Sequence, residues 1–476
     1  MQPHPPLYSP KPKPWSLPRT LLLAQAGVVF LVRALSPGFG TRRTVDTDGY
    51  LTSLGSASLT EALRYVRTLG YPAFLGLVET VTGDHQAVAW LQLALSLAAA
   101  VALGLAFESW SGRAWLGLAV ATPLLYNPFL HHYAPRLMSD SLAASFAVAT
   151  VAAFLALLAR PRQGWRRLAF GLALLATYHT RPAYLFLVGL LPVLGLVLAA
   201  WSERRAAWGA ALRHPFAGLA AVALLPLLAW SGARWALTGH FGLVSFGGIN
   251  VVGITASMLS PKLVAELPRD LRPLARGILE RRRQLGWSIR GRYNFSRFNQ
   301  QYNRNIWDVA LEAAREIYQQ PRQTRRQLWL ATNQACSRLS LAVIRARPGI
   351  YLRWVRDALW ASLRRLAAEP ATRVCAGLLL TALVPTGWLL RKRRHRGTSE
   401  APPARRGPWP SLGFALLTAA YAAASLLLVV MVEAPIHRYV YASTLLVPSA
   451  LAVLAAELWL RGLAARRTPL RPEAGS

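Results

Sequence analysis

Two carboxylates, Asp46 and Asp48, stand on either side of Thr47 just ahead of Tyr50, directly after the first apolar segment of the chain. A carboxylate partly withdrawn from water is suited to take a proton from a hydroxyl, and two of them together are suited to share a divalent ion. Ionisable residues recur at other short connections between apolar runs: Arg67, then His131, His132, Arg136 and Asp140, then His179 and Arg181, and last Glu433, His437 and Arg438. Arginine meets carboxylates and phosphates through paired donors, so the set joins acid-base chemistry to anion binding. Each residue alone also has a plainer reading. Asp46 through Gly49 has the composition of a turn and N-cap, Asp140 that of an N-cap, and Arg181 before Pro182 that of a side chain reaching for the membrane interface. His131 and His132 are adjacent and do not face one way on a helix, which argues against a shared metal. His179 and His437 read as interfacial or hydrogen-bonded histidines.

The elements that would gather these residues are membrane spans. The chain has 476 residues, 54% of them hydrophobic, and a mean hydropathy of +0.29, which points to an all-α, polytopic membrane protein. Apolar runs recur at Leu21–Leu35, Ala87–Phe107, Ala114–Leu130, Ser141–Ala159, Leu168–Thr180, Ala183–Ser202, Pro215–Ala233, Val374–Leu390, Ser411–Val432 and Tyr439–Leu460, giving about ten transmembrane helices. Lys and Arg alternate with these runs as short cytoplasmic loops require if both termini are inside: Arg113, then Arg160 to Arg167, then Arg204, Arg205 and Arg213, then Arg391 to Arg396, then Arg461 to Arg467. The acids, histidines and single arginines named above all fall on the opposite, outer side. The expected location is the inner or plasma membrane, with the active face outward. The net charge of +34 favours anionic lipid or phosphate partners over nucleic acid in such a chain. Two cysteines, Cys336 and Cys375, exclude a disulfide framework and a cysteine-rich metal site.

The expected organisation is a basic cytoplasmic tail (1–19), a transmembrane module (20–239) and a large outer loop (240–372). C-terminal spans (373–462) with a basic loop at 391–410 and a cytoplasmic tail (463–476) complete it. The first outer loop, 36–86, is expected to hold juxtamembrane helices over Ser58–Val66 and Tyr71–Val81. From Pro261 to Thr372 there are 22 Lys and Arg against 8 Asp and Glu, on helices of amphipathic spacing. One places Trp307, Leu311, Ala314 and Tyr318 on a single face, and another Tyr351, Val355, Leu359 and Leu363. Such helices would lie on lipid or cap the membrane core.

In this order and spacing the motifs resemble those of the GT-C membrane glycosyltransferases, of the protein O-mannosyltransferase and aminoarabinose-transferase kind. Asp46-Thr47-Asp48-Gly49-Tyr50 is similar to the acidic first-loop motif of that family, and Arg67-Thr68-Leu69-Gly70-Tyr71-Pro72 to its R-x-x-G-Y-P element. Met138-Ser139-Asp140-Ser141-Leu142 resembles the acidic residue of the second outer loop, and Thr180-Arg181-Pro182 and Glu433–Tyr439 its later elements. Thr47 stands where family members often carry a second acid. The resemblance implies transfer of a sugar from a polyprenyl-phosphate donor to an acceptor hydroxyl on the outer face, with inversion. Asp46 would be the base, with Asp48 in reserve. Asp140 would orient the acceptor, steady the sugar or share a divalent cation. Arg181 and Arg438 would meet the leaving phosphate, with Tyr50, Arg67, Tyr71, Glu433 and His437 also binding substrate. The sequence identifies neither the acceptor nor a required cofactor.

Two other classes share some of these features. A transporter or flippase of an anionic lipid-linked substrate would place ionisable residues or broken helices near the midplane. A membrane assembly subunit would use the long loop to dock partners.

Overall fold

The structure is a computed structural model, and it describes residues 16–54, 63, 67–202, 216–395 and 409–467. The start of the basic tail, most of the expected Ser58–Val66 helix, the 203–215 connection, the 396–408 part of the basic loop and the tail beyond residue 467 lie outside the described residues. Within them the chain is helical, with no named strand and one isolated parallel bridge between Arg42 and Arg136.

The N-terminal part runs α1 (Leu17–Ala34), α2 (Thr47–Leu54), α3 (Gly70–Thr82), α4 (Val88–Ser111), α5 (Ala114–Leu125), α6 (Pro128–Tyr133), α7 (Ser139–Ala159), α8 (Gly164–Thr180), α9 (Phe186–Ser202) and α10 (Phe216–Thr238). A second group follows, comprising α11 (Gly247–Thr255), α12 (Pro261–Glu266), α13 (Arg272–Gln284), α14 (Phe295–Arg304), α15 (Leu311–Tyr318), α16 (Arg325–Ala346) and α17 (Pro348–Ala368). The chain then returns through α18 (Pro370–His395), α19 (Pro410–Val432), α20 (His437–Ser443) and α21 (Val447–Arg467).

Among the described residues, six helical stretches are long and apolar enough to cross a membrane: α1, α4, α7, most of α10, α19, and the run from His437 to Leu463. A seventh forms if α17 and the start of α18, bent by 68° at their junction, count as one. The other three expected spans are shorter. The one expected over Ala114–Leu130 is interrupted at Tyr126, and Asn127 starts α6 by accepting from the Phe129 and Leu130 amides. The other two correspond to α8, with Arg166 and Arg167 in its first turn, and α9, entered through a 3-10 turn at Pro182–Tyr184.

Lipid supplies no hydrophobic drive between helices, so close backbone approach and internal polar pairs hold such a bundle together. Gly104 of α4 and Gly117 of α5 face each other so closely that a Cβ on Gly117 would lie 2.5 Å from the Gly104 carbonyl oxygen. Ser96 bonds Ser145 at 2.8 Å between α4 and α7, and Thr150 bonds Thr177 at 2.8 Å between α7 and α8. A second apolar core lies within 249–358, built around Ile249, Ile278, Phe298, Val309 and Trp354 and touching Val430 and Ala434. It differs from the amphipathic expectation at Trp307. The backbone forms a π-turn over Asn305–Ala310, which shifts the phase of the helix and leaves Trp307 exposed, while Ala313 and Ala314 are buried. In α17 the buried stripe is Trp354, Ala358 and Ser362, and Leu363 is exposed. Cys336 and Cys375 are both buried and free.

Candidate active site

The loop before α2 is fixed by its neighbour. The Arg42 amide donates to the Pro135 carbonyl (2.7 Å) and the Leu137 amide to the Arg42 carbonyl (2.9 Å), laying the first loop along the segment that leads into α7. The Thr47 hydroxyl, wholly buried, donates to the Leu137 carbonyl at 3.1 Å. Thr47 is therefore an anchor, and it holds Asp46 beside the start of α7.

Asp46, Tyr50, Arg67, Asp140, Arg181, Glu433 and Arg438 all line one cavity of about 610 Å³. They come from five separate stretches of chain. Asp46 receives Arg438 at 3.0 Å and lies 3.7 Å from Arg67. Asp140, in the first turn of α7 and only 2% exposed, forms an ion pair with Arg181. Arg438 also donates to the Tyr439 hydroxyl at 2.8 Å, and the Arg181 and Arg438 guanidinium groups lie 5.1 and 4.8 Å from the centre of the Tyr439 ring. Arg67 stacks over Tyr50 at 4.8 Å, and the Tyr50 hydroxyl pairs with Ser139 at 3.0 Å. Glu433 accepts from the Asn250 amide at 2.8 Å. Burial raises the Glu433 carboxyl above its ordinary range, against the opposing pull of Arg181 and Arg438.

Three expected site residues stand elsewhere. Asp48 sits in the first turn of α2, with 83% of its side chain exposed, and pairs with Arg43 at 2.8 Å. Its side chain is directed away from the cavity because successive positions at a helix start diverge. Tyr71 is fully buried and meets the Tyr50 ring edge-on at 4.8 Å, so it supports the wall without forming it. Its phenol is raised well above its ordinary value by burial. His437 faces a second cavity of about 350 Å³, with His132, Tyr133, Glu369 and Tyr441, because it precedes Arg438 on α20 and points to the other side of that helix.

The Arg67–Pro72 stretch has a steric role. A Cβ on Gly70 would fall 2.5 Å from the His179 carbonyl carbon and 2.6 Å from the Thr180 nitrogen. The start of α3 thus rests on the backbone at the end of α8, which delivers Arg181.

The remaining wall was not legible as such. Asn250, Tyr302, Asn303, Ile306 and Trp307 line the cavity from the 240–372 segment. Tyr302 is held by its hydroxyl donating to the Val432 carbonyl at 3.2 Å. The one sequence signal among them is Asn250, a single amide in the otherwise apolar Gly247–Thr255 helix.

The cavity can bind an anion, through Arg67, Arg181 and Arg438, and can accept a proton, at Asp46. Apolar residues Leu428, Val429, Val432 and Ile436 form part of its lining and suit a lipid chain. Among the described residues no three acid, histidine or cysteine side chains gather as a metal-ligating group; the positive charge facing Asp46 and Asp140 comes from arginine. No protein-family model and no curated protein matches the chain.

Proposed function

We propose that the protein is an integral-membrane glycosyltransferase of the GT-C kind, taking a sugar from a polyprenyl-phosphate donor and giving it to an acceptor hydroxyl, with inversion. One observation carries this reading: carboxylates and arginines from five distant stretches meet in a single, partly apolar cavity at the ends of membrane-length helices. In this scheme α5, α8 and α9 complete about ten crossings, both termini are cytoplasmic, and the cavity opens at the outer face of the cell membrane.

Asp46 takes the proton of the acceptor hydroxyl as its oxygen bonds to the anomeric carbon. The bond from that carbon to the phosphate oxygen breaks, and the leaving lipid phosphate keeps the electron pair. Arg438, Arg181 and Arg67 meet the charge that develops there. An incoming phosphate also competes with Asp46 for Arg438 and Arg67, and each guanidinium it draws away leaves an Asp46 oxygen open to the acceptor. Asp140, engaged by Arg181, holds that arginine in place.

The test is transfer by the purified protein in vesicles loaded with labelled polyprenyl-phosphate sugars. Asp46→Asn should lower the rate by about 10²- to 10⁴-fold, the range removed with a general base. Asp48→Asn should stay within about twofold of wild type, since surface changes away from a site have small effects. Equal rates for Asp46→Asn and wild type would remove Asp46 from the chemistry. The alternative reading is a transporter or flippase of an anionic lipid-linked substrate. It would be favoured if the labelled lipid changes leaflet and no new glycosidic bond forms.

A further inference from the structure

The long amphipathic helix α17 has an exposed face that neither the proposed reaction nor the two apolar cores use. Trp354, Ala358 and Ser362 are buried on its inner side, whereas Leu352, Trp360 and Leu363 are 64%, 56% and 46% exposed. At 100° per residue the three exposed apolar side chains fall within about 80° of one another with the exposed Arg356 between them, and Arg353 and Arg364 lie on the adjoining flank. Arg364 stacks on Trp360 at 5.2 Å.

Two independent features fix the depth and tilt of this helix. The Trp354 indole donates to the Val430 carbonyl at 2.9 Å and the Tyr351 hydroxyl to the Met431 carbonyl at 2.7 Å, so α17 lies level with the final turn of the span α19. Its other end turns by 68° into α18. Val374, Leu378 and Val384 on α18 are 63%, 54% and 74% exposed, as lipid-facing residues of a crossing helix are. A helix set at this angle to a crossing one, at the level where a span ends, runs close to the plane of the membrane surface.

We infer that α17 is seated on anionic phospholipid, with Leu352, Trp360 and Leu363 in the headgroup and upper acyl region and Arg353 and Arg364 on the phosphates. The occupant follows from continuity with the lipid-facing side of α18 and from charge. A face on which large apolar side chains alternate with arginines is matched by a surface that is greasy below and negative above. The inference is independent of the sugar-transfer reading and is tested without any activity.

The experiment places an environment-sensitive fluorophore on Leu352→Cys or Leu363→Cys of the full-length protein in vesicles, with Arg322→Cys in the exposed turn after α15 as the reference. The unsubstituted protein gives the background from Cys336 and Cys375. The labels at 352 and 363 should be quenched by lipids carrying a shallow nitroxide and shielded from aqueous iodide, and the label at 322 should show the reverse. Spin-labelled phosphatidylglycerol should be held at the protein in preference to phosphatidylcholine. That preference should fall by about fivefold for each of Arg353→Gln and Arg364→Gln, while the label depth stays unchanged. Iodide reaching positions 352 and 363 as readily as 322 would overturn the seating. So would shielding that grows with the protein-to-lipid ratio, the mark of a second copy on this face. An unaltered lipid preference in the doubly substituted protein would remove the headgroup contact.

Discussion

Glu433 carries a cost that its neighbours only partly offset. Burial raises its carboxyl above the ordinary value near 4.5, with Arg181 and Arg438 opposing the shift. A carboxyl raised in the folded state contributes stability that is present below its ordinary value and is lost as the pH rises through the raised one. Wild type should therefore lose stability from about pH 4.5 upward through this group. Glu433→Gln keeps an oxygen for the Asn250 amide and removes the charge, so its thermal midpoint in detergent should equal or exceed wild type at about pH 8, with the gap closing towards about pH 4. A lower midpoint for the Gln variant at the alkaline end would show that the arginines need the negative charge more than the fold resists it. At this scale much of the site was readable. Asp46, Arg67, Asp140, Arg181 and Arg438 are ionisable residues in or beside the short connections between apolar runs, where a charge withdrawn from water needs a partner, and each has one here. Asp48 and His437 stand outside the cavity, and sequence spacing does not tell which side of a short helix a residue faces.

At the scale of elements, the site depends on how closely backbones approach. Gly70→Ala should force the start of α3 off the end of α8, at a cost of about 1–3 kcal/mol typical of an overpacked contact. Transfer should fall with it, although no charged group changes. A variant with unaltered midpoint and rate would mean that the two helices separate freely. The helices themselves were visible as apolar runs bounded by basic loops. What period and hydropathy do not carry is the π-turn at Asn305–Ala310, which depends on tertiary bonds. The buried Arg282 guanidinium bonds the Asn305 side chain, which in turn donates to the Gly253 carbonyl at 2.9 Å and the Ser257 hydroxyl at 2.9 Å. That network sets Ile306 and Trp307 on the cavity wall, and none of its members stands out in sequence. Breaks such as the one at Tyr126 were signalled by Pro123 and Pro128, but the resulting lengths were not.

For the whole molecule, charge is sorted between the two ends of the bundle. At the end away from the cavity, Glu457 is fully buried and gathers Arg113 (3.3 Å), Arg461 (2.7 Å) and the Ser411 amide (3.2 Å), while Arg19 pairs with Glu108 at 3.0 Å. Basic residues at this end thus help to tie α4, α5, α19 and α21 together. The proposed orientation predicts that a tag inserted in the exposed turn at 319–324 is reached by an impermeant reagent only from outside intact cells. Labelling only after the membrane is opened would invert the topology.

The pair between Asp46 and Arg438 joins positions 392 apart in the chain. Ribosomes release a membrane protein into the bilayer from its N-terminus onward, so the carboxylate is inserted long before the guanidinium that faces it has been translated. A nascent chain that stops anywhere before α20 has Asp46, Arg67, Asp140 and Arg181 and lacks Arg438. It follows that two fragments, divided within the basic loop near residue 400 and expressed together, should each be inert and should regain the site only by meeting in the membrane.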